Sequence, residues 1–220
     1  MYSNKIEFAV QMTCESCVNA VKKSVENVPG IKNIDVNLET KSVIIETNLP
    51  TLEVQKRLEE SGRKVALRGY GGSVAGVTIL EAFGRNVKGV IRFEQATKNY
   101  CIIDGTVDGL SPGEYQAAIH ECGDISQGCK SVGEVYSNIG SIKAESSGRA
   151  TFRLEDDKVK LGDVIGRSFV ISEKSENGNQ QSIACGVIAR SAGLFENPKT
   201  ICACDGVTIW NEKVGPKSTL

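Results

Sequence analysis

Residues 4–30 read NKIEFAVQMTCESCVNAVKKSVENVPG and contain the change of hydrophobic period that decides the fold of this part of the chain. Polar and apolar residues alternate over residues 4–10, which predicts a half-buried strand. Over residues 15–28 the apolar residues recur at helical spacing, and a Pro-Gly pair follows, which predicts an amphipathic helix that ends there. Cys14 and Cys17 therefore fall where the strand gives way to the helix.

The same alternation of patterns continues beyond this stretch. Strands are predicted at residues 31–37, 42–47 and 64–68. A second helix begins at Pro50-Thr51 and ends near Gly62, because glycine suits the left-handed conformation that often closes a helix. The resulting order β-α-β-β-α-β is that of the split βαβ, or ferredoxin-like, fold. We therefore predict an α+β domain over residues 1–70.

The composition changes after this domain. Residues 71–76 are rich in glycine, which favours a flexible linker. Over residues 77–195 short β runs alternate with turn residues and no long amphipathic helix occurs, which predicts an antiparallel sandwich or barrel. Residues 196–220 have little periodicity, which favours a flexible tail. The strands predicted after the first domain are residues 74–80, 89–94, 100–107, 113–119, 149–154, 169–173 and 183–189.

The overall composition excludes some classes of protein. The 220 residues are 40% hydrophobic and 24% charged, as in a globular protein, and their formal net charge is −1. They lack the excess of Lys and Arg that is typical of nucleic-acid or membrane-surface binding. No apolar signal segment follows the N-terminus, and no apolar run approaches the ~18 residues of a membrane span. We therefore expect a cytoplasmic protein with mostly reduced thiols.

Cysteine is the residue type most able to bind a metal here. The chain has eight cysteines and a single histidine, His120, which excludes a metal site built from several imidazoles. Cys14 and Cys17 lie three residues apart at a helix start, where the helix dipole favours thiolates, and soft thiolates select Cu(I). Zinc would require four ligands, and no second pair is near in sequence. A redox dithiol and a purely structural pair remain as alternatives.

The motif Met12-x-Cys14-x-x-Cys17 in the first loop of a βαββαβ unit resembles that of the Atx1-type, or heavy-metal-associated, copper-metallochaperone domains. The resemblance covers residues 1 to about 70. It implies that Cys14 and Cys17 are Cu(I) ligands and that Met12 packs beneath the loop. Arg63 stands where such domains often have a basic residue near the metal, although a solvated surface charge is an equally good interpretation.

The second region resembles Cu,Zn superoxide dismutase over about residues 73–190, which implies an all-β Greek-key sandwich or barrel. The H-E-F-G-D turn of that family is similar to His120-Glu121-Cys122-Gly123-Asp124. An early strand and two late segments also match: Gly89-Val90-Ile91-Arg92-Phe93-Glu94-Gln95, Ile165-Gly166-Arg167 and Ala184-Cys185-Gly186-Val187-Ile188.

The same resemblance implies that the dismutase active site is lost. That family binds copper and zinc through six histidines and an aspartate, of which His120 keeps one position. Other ligand positions read Ala118, Val135 and Ser172, and the position of the catalytic arginine reads Ser182. We therefore expect no dismutase activity and no zinc, and we expect hydrogen bonds to hold His120.

The scaffold of that family is retained. The resemblance implies a disulfide between Cys129 and Cys185. It also implies a partner interface formed by Asp124, Ile165, Gly166, Val187 and Ile188. Cys122 and Arg190 depart from the family pattern at this interface. Our hypothesis is that they disfavour self-pairing while admitting a different partner, although a homodimer remains possible.

Two further cysteines, Cys202 and Cys204, lie in the predicted tail. Alternating thiols could hold Cu(I), form a strained and oxidising disulfide, or attack a cysteine of another protein. Cys101 lies in an apolar strand and is expected to be a buried, inert core residue.

Taken together, the parts resemble the family of copper chaperones that serve superoxide dismutase, and the stretch Gly193 to Gly206 is especially similar to that family. The resemblance implies a metallochaperone rather than an enzyme. It would deliver Cu(I) to Cu,Zn superoxide dismutase in a heterodimer and promote the intrasubunit disulfide of that partner, with oxygen or copper as oxidant. A copper importer or another donor would supply the metal. The alternative is a cytosolic copper buffer or thiol–disulfide oxidoreductase without a dedicated client.

Overall fold

The computed structural model describes residues 2–72, 74–82, 86–174, 180–199 and 208–211. These residues form two compact units. The first unit contains residues 2–72 together with residues 192–199 and 208–211, and the second contains the described residues from 74 to 191. The predicted division of the chain at residues 70, 76 and 195 stays a prediction. No helix among the described residues is long and apolar enough to cross a membrane.

The first unit has the predicted βαββαβ order. Its elements are β1 (Asn4–Val10), α1 (Glu15–Val25), β2 (Ile31–Asn37), β3 (Ser42–Thr47), α2 (Thr51–Glu59) and β4 (Val65–Tyr70). The four strands form an antiparallel sheet in the order β2-β3-β1-β4. Gly62 adopts a φ of +73° after α2, as expected of a residue that closes a helix. The α+β fold class of this unit is therefore confirmed.

The core of the first unit lies between its sheet and its two helices. Ile6, Phe8 and Val10 of β1 are fully buried and share a hydrophobic cluster with Val21 of α1 and Leu58 of α2. These three strand residues alternate in sequence, so they lie on one face of the sheet. Burying an aliphatic or aromatic side chain of this kind stabilises the fold by roughly 1.5–3 kcal/mol. This packing fixes the ends of β1 and α1, between which the cysteine loop lies.

A β-bulge between β1 and β4 changes which residues face the core. Glu7 pairs with Gly69 but Phe8 pairs with Leu67, which leaves Arg68 as an extra residue in β4. A bulge moves the following side chains to the opposite face. As a result Tyr70 is buried in the same cluster as Phe8, while the side chain of Arg68 lies beside that of Glu7.

The second unit is all-β apart from one short helix, α3 (Leu161–Val164). Its strands are β5 (Ala75–Glu81), β6 (Lys88–Thr97), β7 (Tyr100–Asp108), β8 (Gly113–His120), β9 (Ser126–Cys129), β10 (Val135–Ala144), β11 (Arg149–Asp156), β12 (Ser168–Lys174), β13 (Gln180–Val187) and β14 (Ala189–Ser191). Neighbouring strands are antiparallel in the order β10-β8-β12-β13-β5-β6-β7-β11, and β14 pairs with β5. The predicted all-β class is confirmed.

The strands β9, β10 and β14 were not predicted from the sequence. The ten-residue β10 reads VYSNIGSIKA, in which Ser, Asn and Gly interrupt the apolar pattern. Its pairing with β8 shifts register twice, between Val135 and Ser137 and between Asn138 and Gly140. Pairing with β8 therefore forms this strand where the local sequence pattern does not predict one.

Candidate metal centre

The cysteine loop joins two elements whose ends are fixed in the core. Cys14 occupies the N-cap position of α1, and Met12 is fully buried in the core beneath the loop. The backbone N–H of Gln11 donates to the carbonyl of Lys64 over 3.0 Å, which attaches the start of the loop to the residue before β4. Arg63 lies immediately before Lys64 in the chain. Its Nε is buried and has no hydrogen-bond partner among the described residues.

The two sulfur atoms of the loop lie close together but in different surroundings. The Sγ atoms of Cys14 and Cys17 are 3.3 Å apart. Cys14 is exposed, whereas Cys17 is 2% exposed and lies in the hydrophobic cluster of the first unit. Both sulfurs can therefore contact one ion that approaches from solvent, with Cys14 as the accessible ligand.

The surroundings of Cys14 favour its thiolate. The Ser16 hydroxyl, with its oxygen 3.0 Å from Cys14 Sγ, has the largest effect, followed by the backbone N–H and the thiol of Cys17; together they lower the pKa of Cys14 to about 6. Cys14 is therefore mostly thiolate at pH 7, the form that binds metals. This role of Ser16 was not predicted from the sequence, although a hydroxyl two residues after the first cysteine was a signal for it.

This donor set suits a soft, monovalent ion. Two cysteine sulfurs at one point are soft donors, and soft ligands select Cu(I) over hard cations. Among the described residues, no group of three or more His, Cys, Asp or Glu side chains is placed to hold a metal. The assignment of Cys14 and Cys17 as Cu(I) ligands stays a prediction.

In the second unit, His120 is held by a hydrogen bond. Its Nδ1 lies 2.8 Å from the backbone carbonyl of Gly133, to which a protonated Nδ1 donates. Its cross-strand partners are Val135 and Ser168, which present no imidazole or carboxylate. Ala118, two residues earlier on β8, pairs with Asn138 and Val170. The residues that surround His120 on the sheet therefore lack the usual groups of a copper or zinc site.

The structure joins Cys129 and Cys185 in a disulfide, with their Cα atoms 5.7 Å apart. Cys185 is fully buried in a small cluster with Val132 and Val170.

Cys101 is also fully buried, and burial, with Asp156 and Glu94 nearby, raises its pKa to about 12. Cys101 is therefore a protonated, unreactive thiol at neutral pH.

The predicted interface residues lie around two hydrogen-bonded loops. Asp124 is exposed and accepts a hydrogen bond from the backbone N–H of Ser126 over 2.8 Å; the hydroxyl and N–H of Ser126 lower the pKa of Asp124. The N–H of Gly166 donates to the carbonyl of Ile188 over 2.8 Å. Ile165 and Val187 are half-buried and Gly166 is exposed, but Ile188 is fully buried and therefore supports this face from beneath.

Both residues that depart from the dismutase family pattern at the predicted interface, Cys122 and Arg190, are exposed. Ser182, which the resemblance places at the position of the catalytic arginine, is also exposed. The guanidinium of Arg167 stacks on the ring of Tyr136 at 3.9 Å and donates over 2.8 Å to the carbonyl of Glu121, the residue before Cys122. Cys202 and Cys204 lie outside the described residues.

Two known protein families match separate parts of the chain. Residues 7–64 match the heavy-metal-associated domain, and residues 87–188 match the copper/zinc superoxide dismutase family. The copper chaperone for superoxide dismutase of Mus musculus is 44% identical, with 96% of this chain and 89% of the relative covered. The chain belongs to the copper chaperones for superoxide dismutase.

Other members of the family support the assignment. The Homo sapiens chaperone of the same name is 43% identical, again with 96% of this chain and 89% of the relative covered. The superoxide dismutase 1 copper chaperone of Saccharomyces cerevisiae is 34% identical, with 94% of this chain and 92% of the relative covered. These relatives are named as chaperones and not as the enzyme, in agreement with the expectation from the sequence.

Proposed function

We propose that this protein carries Cu(I) on Cys14 and Cys17, docks on Cu,Zn superoxide dismutase and transfers the ion to it. The observation that carries the proposal is the exposed loop in which the two sulfurs lie 3.3 Å apart and the pKa of Cys14 is lowered to about 6. The family supports copper and superoxide dismutase as cargo and client. We place this activity in the cytoplasm, where thiols stay reduced.

Copper enters and leaves the loop by exchange of sulfur ligands. Cys14 is exposed and Cys17 is buried, so a donor such as a copper importer meets Cys14 first. A two-sulfur site leaves room for an incoming third ligand, which allows the ion to pass to the next site without release into water. Zinc, which prefers four ligands, is not expected in this loop.

The second unit recognises the client by its likeness to a dismutase subunit. In a two-fold dimer the same surface of each subunit meets the other, so a unit that keeps this surface can replace one subunit. The hydrogen-bonded loops that carry Asp124 and Gly166 support such a docking face. We propose a heterodimer through this face, while a weaker homodimer remains compatible with it.

Cys202 and Cys204 are proposed to complete the transfer of copper and to promote the disulfide of the client. Forming that disulfide removes two electrons and two protons from two client thiols. We assign the electrons to dioxygen by way of a Cys202–Cys204 disulfide: a client thiolate attacks it, and the second client thiolate then displaces the tail sulfur. The tail leaves the exchange as a dithiol, which dioxygen reoxidises to the disulfide while taking up the two electrons and two protons as hydrogen peroxide.

The test mixes the Cu(I)-loaded chain with immature, disulfide-reduced superoxide dismutase in the presence of a copper chelator and air. Heterodimer is measured by analytical ultracentrifugation, and activation by dismutase activity and by the disulfide content of the client. We expect Cys202→Ser with Cys204→Ser to abolish activation and to leave the heterodimer intact. Cys101→Ala removes a buried thiol and should activate like the wild type. Full activation by the double variant would contradict the role of the tail.

The alternative function is a copper buffer or a general thiol–disulfide oxidoreductase without a dedicated client. The same mixture distinguishes it, because a buffer would bind Cu(I) but form no heterodimer and give no activation. Dismutase turnover by the purified chain, loaded with copper and zinc, tests the enzyme interpretation, and we expect none above free copper.

A further inference from the structure

One face of the sheet in the first unit does not pack against its helices. We call it the open face and define it by Glu7 and Ala9 of β1 and Ala66 and Arg68 of β4. Glu7, Ala9 and Ala66 alternate with core residues of the same strands, and Arg68 is the extra residue of the β-bulge. The open face is covered by two stretches of the chain's own C-terminal segment, residues 192–199 and 208–211.

The first contact is made to a buried carboxylate. The backbone N–H of Phe195 donates to Glu7 Oε2 over 2.7 Å, and the other oxygen, Oε1, lies 3.6 Å from Arg68 Nη1. The side chains of Glu7 and Arg68 are only 3% and 8% exposed. A buried carboxylate is costly unless its oxygens have partners. The Phe195 N–H thus donates to Oε2 of Glu7, whereas Arg68 is the partner of Oε1.

Apolar packing does not explain this contact. Phe195 is 72% exposed, so burial of this residue contributes little. A cavity of about 250 Å³, lined in part by Lys5, Ile44 and Leu194, also remains where the segment crosses the sheet. The hydrogen bond to Glu7 is therefore a specific polar interaction at this end of the segment.

A close backbone approach adds a steric requirement. The N–H of Tyr70 donates to the carbonyl of Ala192 over 3.3 Å. A Cβ atom on Gly69 would collide with the carbonyl oxygen of Gly193. The backbone of Gly69 does not have a positive φ, so alanine is compatible with its conformation, and the three atoms nearest to the added Cβ all belong to Gly193 and Leu194.

The second contact is apolar. Ile209, in a 3₁₀-helix at Ile209–Asn211, is 5% exposed and packs on Ala9 and Ala66, with Trp210 against the same cluster. Nζ of Lys64 donates to Oδ1 of Asn211 over 2.7 Å. The two small alanines leave space on the sheet for the larger side chains of the segment.

We propose that the open face is the docking surface of the chain's own C-terminal segment, with the Glu7 carboxylate as its polar anchor and the Ala9–Ala66 patch as its apolar anchor. Cys202 and Cys204 lie in sequence between the two anchored stretches. Docking therefore ties the tail to the domain that bears Cys14 and Cys17. The value of this tether for copper transfer rests on the proposed function, but the docking itself does not.

The experiment uses the full chain and its single tryptophan, Trp210, whose emission reports whether the segment is docked. Glu7→Ala removes the acceptor, and Gly69→Ala introduces the colliding Cβ. Losing a hydrogen bond to a charged group should shift the equilibrium toward the released segment about tenfold or more. We expect red-shifted emission and stronger acrylamide quenching in both variants.

The matched controls change the same residue types where nothing is docked. Glu39→Ala removes an exposed carboxylate from the β2–β3 turn, and Gly162→Ala adds a Cβ with no atom within 4 Å. Both should give wild-type emission. Circular dichroism with the wild-type spectrum establishes that Glu7→Ala and Gly69→Ala are folded.

Unchanged Trp210 emission and quenching in folded Glu7→Ala and Gly69→Ala would overturn the proposal. A measurement on the wild type keeps it testable if a variant fails to fold: the Phe195 amide should be protected from hydrogen exchange, and rapid exchange would also overturn docking. Neither readout requires copper or client. Failure of client activation would therefore count against the proposed function alone.

Discussion

The two cysteine pairs that the structure describes differ in chemistry although their residues are the same. Cys14 and Cys17 lie in a loop open to solvent, with a hydroxyl and a backbone N–H that favour a thiolate. Cys129 and Cys185 are joined in a disulfide, and Cys185 is packed among valines. The environment of a sulfur pair thus decides whether it is available to a metal or holds a scaffold together.

The largest expected effect tests the first pair as the copper site. Cys14→Ser with Cys17→Ser, in a background that lacks Cys202 and Cys204, should weaken Cu(I) binding more than about ten-thousandfold. Losing one hydrogen-bond partner of a metal ligand already lowers metal affinity ~10–100-fold, and here both ligands themselves are lost. Competition with a chromophoric Cu(I) chelator measures the affinity. Cys129→Ser with Cys185→Ser is the matched control, and retention of tight binding by the first variant would contradict the site.

The next effect tests the second pair as a scaffold. The disulfide joins residues 56 apart in sequence, and closing a loop of that length stabilises the fold by about 4 kcal/mol in the chain-entropy model. Cys129→Ala with Cys185→Ala should lower the free energy of unfolding of the second unit by a comparable amount in urea titrations followed by circular dichroism. The wild type in reductant should behave similarly. An unchanged midpoint would show that the disulfide contributes no stability.

A smaller effect concerns the docking face. Arg190 is exposed where the dismutase family has an aliphatic residue, and desolvating its charge opposes self-pairing. Arg190→Val should strengthen homodimer formation by about tenfold, or roughly 1.4 kcal/mol. Sedimentation equilibrium measures the association constant, with Lys158→Val as a control at another exposed cation. If the variant self-associates no more than the wild type, Arg190 does not determine the choice of partner.

The smallest effect is a shift in a pH profile at Cys14. Only the thiolate reacts with iodoacetamide, so the alkylation rate of Cys14 should be constant above its pKa and fall as the pH drops through about 6. Ser16→Ala removes the largest cause of the lowered pKa and should move the midpoint to higher pH. Rates are read by peptide mass spectrometry to separate Cys14 from Cys122. Identical midpoints in the two proteins would exclude Ser16 as the cause.

The sequence predicted more of the first unit than of the second. The helices and strands of the first unit have clear local periodicity, and all six appear where they were expected, although α1 ends at Val25. In the second unit β10 was not predicted, because Gly140 interrupts its apolar pattern. Its pairing with β8 also shifts register twice. Its strand conformation comes from pairing with β8, a long-range interaction that no local window of residues contains.

The candidate site was likewise predicted in part from the sequence and in part required the structure. The spacing of Cys14 and Cys17 and the scarcity of histidine were readable from residue order alone, because ligand spacing and residue counts are local or global properties of the sequence. The place of Ser16 beside Cys14 Sγ required the geometry of the loop.

By itself, the amino-acid sequence determined the ferredoxin-like order of the first unit, the position of the cysteine loop at a helix start and the presence of a single histidine in the chain. Only the tertiary structure decided that Arg68 bulges out beside Glu7 and that Phe195, 188 residues away in sequence, satisfies the Glu7 carboxylate. The physical reason is that periodicity records burial within one element, whereas the partner of a buried charge is fixed only when distant parts of the chain pack together.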